Sequence, residues 1–329
     1  MRIMITGGGT GGHTSPAVAI IEELRRRDPQ LLLQWVGRRG NIEQRVSARQ
    51  GIPFRHLPIE GWPRANRWRR AWVAAKLAYS VARAFLYVRR FQPQVVVGVG
   101  GYVSLPAAWA AQRLGIPTVL HEQNKRLGMA NRLLAPRATR LFVSYEDTLG
   151  IPEDVEATVV GNPVRAGFAD PPERNAAREA LGLDPSAPVV LVAGGSQGAR
   201  SINTAMAGVV RAFGADESQF LWMSGKHDYD TARAAAEDAP APTQVFAFID
   251  DMVTACAAAD LVVGRSGASS TAELAMLGKP AVLVPFPHAA DNHQAENARA
   301  FQDRGAAVVL DDADCTADAL ADALRTLLA

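Results

Sequence analysis

The chain opens Arg2-Ile3-Met4-Ile5-Thr6-Gly7-Gly8-Gly9-Thr10-Gly11-Gly12-His13. An apolar run, a Gly-rich turn and a helical stretch through Pro16 to Arg27 are the elements of a parallel strand–loop–helix unit. The same order returns in the second half. Val189–Ala193 leads into Gly194-Gly195-Ser196-Gln197-Gly198-Ala199 and then a helix from about Ser201. Two such openings predict a structural two-fold repeat: two Rossmann-like, doubly wound α/β domains facing a cleft.

Working outward, short β-branched runs alternate with Ala-, Leu- and Arg-rich stretches. Strands are expected at Leu31–Val36, Val95–Val99, Pro117–His121 and Leu141–Ser144 in the first half. In the second they are expected at Gln219–Ser224, Val245–Phe248, Leu261–Val263, Ala281–Pro285 and Ala307–Leu310. Continuous apolar strands separated by helices indicate parallel sheets covered on both faces. Gly161, Pro163, Gly167 and the Pro171–Pro172 pair mark a linker, so the domains are expected to be 1–162 and 163–329. The C-terminal helix, about 316–329, is a candidate to pack back on the first domain.

The chain of 329 residues has a formal net charge of +2, an average that conceals an asymmetry. Up to Asn162 there are 23 Lys and Arg against 11 Asp and Glu; the remainder has 12 against 22. A basic half joined to an acidic half implies an anionic ligand or surface for the first. Cys256 and Cys315 form neither a metal-type cluster nor a disulfide framework, which suits a reducing compartment. The longest uncharged stretch, Phe91 to Gln112, is broken by Gly98, Gly100, Gly101 and Pro106 and reads as strand, loop and helix. No secretory pattern precedes the first Gly-rich loop, so an intracellular protein, soluble or bound to a membrane surface, is expected.

The first loop contains G-x-G-x-x-G at Gly7, Gly9 and Gly12, a dinucleotide fingerprint when an acidic residue follows the second strand. Here that strand ends in Arg38-Arg39, leaving an NADP reading and a purely structural turn as alternatives. His13 stands where the helix begins, and the positive end of that helix favours a neutral imidazole able to take a proton. A capping role explains the same residue. The loop Gly194–Ala199, with the Ser196 hydroxyl, suits a phosphate. Arg265-Ser266-Gly267-Ala268-Ser269-Ser270-Thr271-Ala272-Glu273 opens another helix whose N–H groups suit phosphate and whose Glu273 suits ribose hydroxyls. The dipole alone also favours a carboxylate there. Gln294 and Asn297 share a helical face with amides suited to sugar hydroxyls. His288 and His293 lack the spacing of a metal site, and none is expected.

Taken together, GGGTGGH (Gly7–His13), GGYVS (Gly100–Ser104), HEQN (His121–Asn124), GNPVR (Gly161–Arg165), GGSQGA (Gly194–Ala199), FIDDM (Phe248–Met252), RSGA with Glu273, and the Gln294–Asn297 cluster resemble the MurG family of peptidoglycan glycosyltransferases. The resemblance implies a GT-B fold and an inverting transfer of N-acetylglucosamine. The donor is UDP-GlcNAc; the acceptor hydroxyl is C4 of MurNAc in undecaprenyl-pyrophosphoryl-MurNAc-pentapeptide (lipid I to lipid II). Ile249 would meet uracil through its backbone and Glu273 the ribose. Ser196, Arg165 and the Ala268–Ala272 backbone (with Ser269, Ser270 and Thr271) would lie near the diphosphate. Gln294 and Asn124 would contact the sugar, Thr10, Gly11 and Gly12 would line the cleft, and His13 is the candidate base. No cofactor is implied. The resemblance also implies a peripheral place on the cytoplasmic face of the bacterial membrane and partners from division or elongation complexes. Lys125-Arg126 after HEQN and Leu105 after GGYVS depart from the family pattern, on the acceptor side.

From Gly61 to His121 there is no Asp or Glu. Across Trp62–Arg90, arginines and Lys76 interleave with Trp62, Trp68, Trp72, Leu77, Tyr79, Phe85 and Tyr87, as suits an anionic membrane face. A helix packing its apolar side on the sheet under a basic rim explains the same pattern. Nucleic acid is not expected, because no groove-reading motif accompanies the patch. Three rival functions remain: a lipid-directed UDP-sugar transferase with another acceptor, such as diacylglycerol, an NADP-binding oxidoreductase, and a catalytically silent scaffold at the membrane.

Overall fold

The strand Arg2–Thr6 (β1) is buried along all but its first residue, as a parallel strand covered on both faces must be. The computed structural model describes residues 1–63, 67–195, 198–289 and 292–329. The chain forms two units, Met1–Ala166 and Gly167–Ala329.

In the first unit β1 is followed by α1 (Gly11–Arg27), β2 (Leu32–Arg38), α2 (Ile42–Arg49), β3 (Phe54–Leu57) and α3 (Arg67–Phe91). Then come β4 (Val95–Gly98), α4 (Leu105–Arg113), β5 (Thr118–Glu122), α5 (Met129–Leu134), β6 (Arg140–Val143) and β7 (Ala157–Val159). The strands form one parallel sheet in the order β3-β2-β1-β4-β5-β6-β7. Chain order reverses beside β1, so α1 and α4 pack on opposite faces of the sheet and the loops after β1 and β4 meet at the carboxyl ends, where such sheets bind ligands.

The second unit repeats this plan. It contains α6 (Arg174–Ala180), β8 (Val189–Ala193), α7 (Arg200–Ala212), β9 (Gln219–Met223), α8 (Tyr229–Glu237), β10 (Thr243–Phe246) and α9 (Met252–Ala258). These lead to β11 (Leu261–Gly264), α10 (Ala268–Met276), β12 (Ala281–Leu283), α11 (His293–Gln302), β13 (Ala307–Val309) and α12 (Ala317–Leu328). Its parallel order, β10-β9-β8-β11-β12-β13, reverses between β8 and β11. The two reversals put the Gly-rich loops where sheets of this kind bind ligands.

Each unit has a buried indole on the strand beside its first one. Trp35 of β2 donates Nε1–H to the Gly7 carbonyl at 3.2 Å, and Trp222 of β9 donates to Asn203 Oδ1 at 3.0 Å. Asn203 in turn donates to the Ser224 carbonyl at 2.8 Å. These bonds satisfy the only polar atom of each ring in an apolar core.

The structure differs from the sequence reading at the sheet edges. β3 and β7 were not expected: both are edge strands with partly exposed residues, so they lack a continuous apolar run. β10 begins at Thr243 and ends at Phe246, earlier than the expected Val245–Phe248, and is likewise an edge. The C-terminal helix uses its apolar face inside the second unit. Leu320 and Leu324 of α12 are fully buried in the core that holds Val209, Val210 and Phe213. Thr316 caps this helix by accepting the Ala319 N–H at 3.2 Å, and Arg325 donates to the Ala212 carbonyl at 2.8 Å. The expectation that this helix returns to the first domain gives way to that packing. Leu324→Ala should therefore destabilise the second unit by about 2–5 kcal/mol through the cavity it leaves, read as a lowered unfolding midpoint by calorimetry.

Candidate functional site

In the first unit, the loop after β1 and the loop after β4 interlock. A side chain at Gly101 would place its Cβ 2.5 Å from the Gly8 carbonyl oxygen, and Gly101 has φ +75°, so only glycine fits. One donor of the first loop, the Gly9 N–H, is already engaged by a carboxylate. Glu43 of α2, fully buried, accepts the Gly9 N–H at 3.0 Å and the Arg38 N–H at 2.9 Å. A carboxylate seated among those amides excludes a pyrophosphate from the same place by like-charge repulsion. The dinucleotide alternative loses its phosphate cradle for that reason. The sequence reading missed Glu43 because its carboxylate comes from the following helix, not from the end of β2.

His13 lies in the first turn of α1, half-buried, with Nδ1 2.8 Å from Thr10 Oγ1. Thr10 is the N-cap residue yet makes no side-chain cap to the helix backbone. Its hydroxyl is directed to the imidazole instead. The ring borders Gly100, where an added Cβ would fall 2.9 Å from His13 Cδ2 and 3.6 Å from Asn131 Nδ2. The loops after β1, β4 and β5 thus converge on one spot. Gly11 is exposed and Gly12 half-buried at the start of the same helix.

At the end of β5, Glu122 is buried and gathers four donors. The Asn124 backbone and side-chain amides reach Oε1 at 3.1 and 2.9 Å; Gly128 N–H and Asn131 Nδ2 each reach Oε2 at 2.9 Å. Burial pushes the Glu122 carboxyl above the usual carboxylate range, against the pull of these donors. Asn124 is thereby fixed in place. Asn131 was not singled out from the sequence; lying seven residues beyond HEQN, it carries no signal there. His121 donates Nε2–H to the Gly161 carbonyl at 3.1 Å, and burial lowers its pKa to about 4. His121 Nδ1, Gln123 Oε1 and Asn131 Oδ1 are buried without a partner among the described residues. Arg165 belongs to this unit and is half-buried.

In the second unit, Ser196 lies outside the described residues. Of its described neighbours, Gly198 donates its N–H to the Gly195 carbonyl at 2.9 Å. At β11, Gly267 is the N-cap of α10 and brings no side-chain oxygen to the helix amides. Ala268, Ser269, Ser270, Thr271 and Ala272 make up the opening turns, and Glu273 follows, 9% exposed. Thr271 Oγ1 bonds back to the Ala268 carbonyl at 3.1 Å. Arg265 is engaged structurally, with NH1 on the Val284 and Pro285 carbonyls and a salt bridge to Asp312. It pins the loop after β12, where Gln294 Oε1 accepts the Phe286 N–H at 2.9 Å. Asn297 Nδ2 donates to the Ser266 carbonyl at 3.2 Å and Ser266 Oγ to the Gln294 carbonyl at 2.8 Å. The structure therefore brings the start of α10 and the start of α11 together, with Gln294 Nε2 pointing away from its Phe286 bond. Ile249 N–H is directed to Met223 Sδ at 3.4 Å, a weak acceptor.

Residues 3–143 match the N-terminal domain of glycosyltransferase family 28 and residues 189–329 its C-terminal domain. Two relatives carry the name UDP-N-acetylglucosamine–N-acetylmuramyl-(pentapeptide) pyrophosphoryl-undecaprenol N-acetylglucosamine transferase. The one from Bacteroides fragilis is 39% identical, over 99% of this chain and 87% of its own length. The one from Phocaeicola vulgatus is 40% identical, over 99% and 88%. The crystal structure of Acinetobacter baumannii MurG superposes with a TM-score of 0.77 at 29% identity, covering 100% of this chain and 91% of that one.

The buried His121 makes a measurable demand on pH. The unfolded chain takes up a proton near 6.5 that the folded chain resists until about 4. Its contribution is therefore present above pH 6.5 and is lost as pH falls towards 4, by roughly 3 kcal/mol in all. Urea unfolding at a series of pH values should show this slope in the wild type and a flatter profile in His121→Gln.

Proposed function

Because the chain belongs to glycosyltransferase family 28, and within it to the N-acetylglucosamine transferases of its full-length relatives, we propose that it moves N-acetylglucosamine from UDP-GlcNAc to the C4 hydroxyl of MurNAc in undecaprenyl-pyrophosphoryl-MurNAc-pentapeptide. Identity of 39–40% across 99% of the chain carries this reading. The fold is GT-B, with a ligand crevice at the strand reversal of each unit.

The second unit holds the donor. The opening turns of α10 and the turn Gly194–Ala199, with Ser196, offer amides to the diphosphate, where helix-terminal N–H groups are favourable. Glu273 takes the ribose and the Ile249 backbone the base. Gln294, anchored through Oε1, keeps its Nε2 for a sugar hydroxyl. The first unit holds the acceptor, with Thr10, Gly11, Gly12, Asn124 and Arg165 contributing to binding. His13, oriented by the 2.8 Å contact of its Nδ1 with Thr10 Oγ1, is the base that receives the acceptor proton. The hydroxyl oxygen then attacks the anomeric carbon in line, and UDP departs with its charge met by the α10 terminus. One displacement inverts the anomeric centre without a covalent sugar–enzyme intermediate.

Membrane association is supported by the way α3 sits in the first unit. Its buried stripe is Val73, Ser80, Ala84 and Val88, all small, whereas Trp68 is 87% and Trp72 61% exposed. Tyr79 and Leu86 are exposed as well, amid Arg67, Arg89 and Arg90. Leu77, Phe85, Tyr87 and Phe91 pack against the core beside that stripe, while Trp68, Trp72 and Tyr79 stand out among cations, as suits an anionic lipid surface. Among the described residues no helix is long and apolar enough to cross a membrane.

Three outcomes are expected. Purified protein should transfer labelled sugar from UDP-GlcNAc to the polyprenyl-linked muropeptide and not to diacylglycerol. His13→Ala should lower kcat by about 10²–10⁴; near-normal turnover would remove His13 as the base. Trp68→Ser/Trp72→Ser should weaken flotation with phosphatidylglycerol vesicles while leaving turnover on a water-soluble acceptor intact. Flotation that ignores anionic lipid content would defeat the electrostatic part of the membrane reading.

A further inference from the structure

The roles given above leave one feature of the first unit unused. A cavity of about 220 Å³ opens where β2 and β3 end, lined by Arg38, Arg39, His56, Glu60 and Lys76 over the apolar floor of Leu57 and Ile59. Lys76 is paired with Glu60, so the guanidinium groups of Arg38 and Arg39 are the net charge of the site. Arg38 spends one N–H on Tyr102 Oη at 3.1 Å, and a guanidinium carries five. Arg39 is exposed and forms no ion pair among the described residues. His56 is half-buried, and burial together with Arg83 and Arg39 holds it below the usual imidazole range. The buried Leu57 and Ile59 beneath strengthen any ion pair formed above them.

The cavity's neighbours say what anion it would take. On one side Tyr102 joins it to the first Gly-rich loop: its hydroxyl holds Arg38, and its ring lies 3.6 Å from where a Cβ on Gly9 would stand. On the other side Lys76 sits over the ring of Trp72, 5.2 Å from its centroid, on the exposed aromatic face of α3. From the His13 loop outward the order is therefore proton acceptor, cation cavity, aromatic face. The acceptor of the proposed reaction has its groups in the same order: sugar hydroxyl, pyrophosphate, prenyl chain. Within the Gly-rich loop the Gly9 amide is taken by Glu43, whose carboxylate opposes a second anion at that point.

Resting on the activity proposed above, we propose that the Arg38–Arg39–His56–Lys76 cavity is the subsite for the acceptor's pyrophosphate. The same phosphate chemistry could come from a phospholipid headgroup, so the test separates the two sources. A pyrophosphoryl-MurNAc-pentapeptide acceptor with a short, water-soluble prenyl chain is used without vesicles. Arg39→Ala should raise the KM for this acceptor about tenfold while the KM for UDP-GlcNAc and kcat stay within about twofold, the pattern of lost ground-state binding. Arg39→Lys should recover part of the loss, because a point charge replaces a bidentate fork. In parallel, inorganic pyrophosphate titrated calorimetrically under saturating UDP should bind the wild type and bind Arg39→Ala about tenfold more weakly. Unchanged acceptor KM and unchanged pyrophosphate binding would overturn the proposal. So would an Arg39→Ala variant that loses flotation on phosphatidylglycerol vesicles but keeps its acceptor KM, since the cavity would then serve headgroups. A wild type that binds pyrophosphate in an Arg39-dependent way yet never turns over this acceptor would defeat the activity reading, and with it the acceptor as the source of the anion.

Discussion

Backbone amides at the ends of parallel strands must find acceptors, and how each loop finds them sets its chemistry. In the first unit a buried carboxylate, Glu43, accepts the Gly9 and Arg38 amides. The Gly9 amide is satisfied from within, and the buried carboxylate is hostile to a second anion beside it. In the second unit, none of the amides of Gly194, Gly195, Gly198 and Ala199 is bonded to a carboxylate among the described residues, and the N-cap of α10 is a glycine without a side-chain acceptor. Two openings that read alike therefore part company. One carries a buried carboxylate beside His13; the other has no carboxylate on its described amides.

The same accounting explains the rigidity around His13. Glu122 collects the amides of Asn124, Gly128 and Asn131, which ties the loop after β5 to the start of α5. Thr10 gives up a cap worth about 1 kcal/mol and directs its hydroxyl to the imidazole. A folded protein keeps such an arrangement where the orientation of a side chain matters more than the helix terminus.

Much of the fold was legible because central parallel strands are buried on both faces and announce themselves as apolar runs, as Val189–Ala193 and Leu261–Gly264 do. β3 and β7 were not, since an edge strand such as Phe54–Leu57 contains Arg55 and His56 and shows no such run. Motifs directly after central strands located the crevices. What the sequence hid were partners that arrive from elsewhere: Glu43 from the next helix, Asn131 from α5, Tyr102 reaching Arg38 across the crevice. Nothing in the spacing of these residues announces a contact, because each depends on the sheet order. The C-terminal helix shows the converse. Its strong amphipathic pattern was plain, but a pattern does not name the surface that buries it, and Leu320 and Leu324 turn out to belong to the second core.

Charge follows from this arrangement. The carboxylates of the first unit's crevice, Glu43 and Glu122, are buried and consumed by amides, while its cations lie at the rim and along α3. Excess positive charge up to Asn162 is thus displaced from the Gly-rich loop to Arg38, Arg39 and the aromatic face. An anion approaching the unit is drawn to that rim rather than into the loop, because only there are the opposing charges unscreened by a buried carboxylate. The net charge of +2 averages this basic surface with an acidic second half. Under the proposed function a diphosphate in that half would be held by local amide dipoles, whose reach does not extend beyond a helix turn. Long-range attraction in the first half and short-range capture in the second are different solutions to binding phosphate, and they suit a membrane-linked and a freely diffusing substrate respectively.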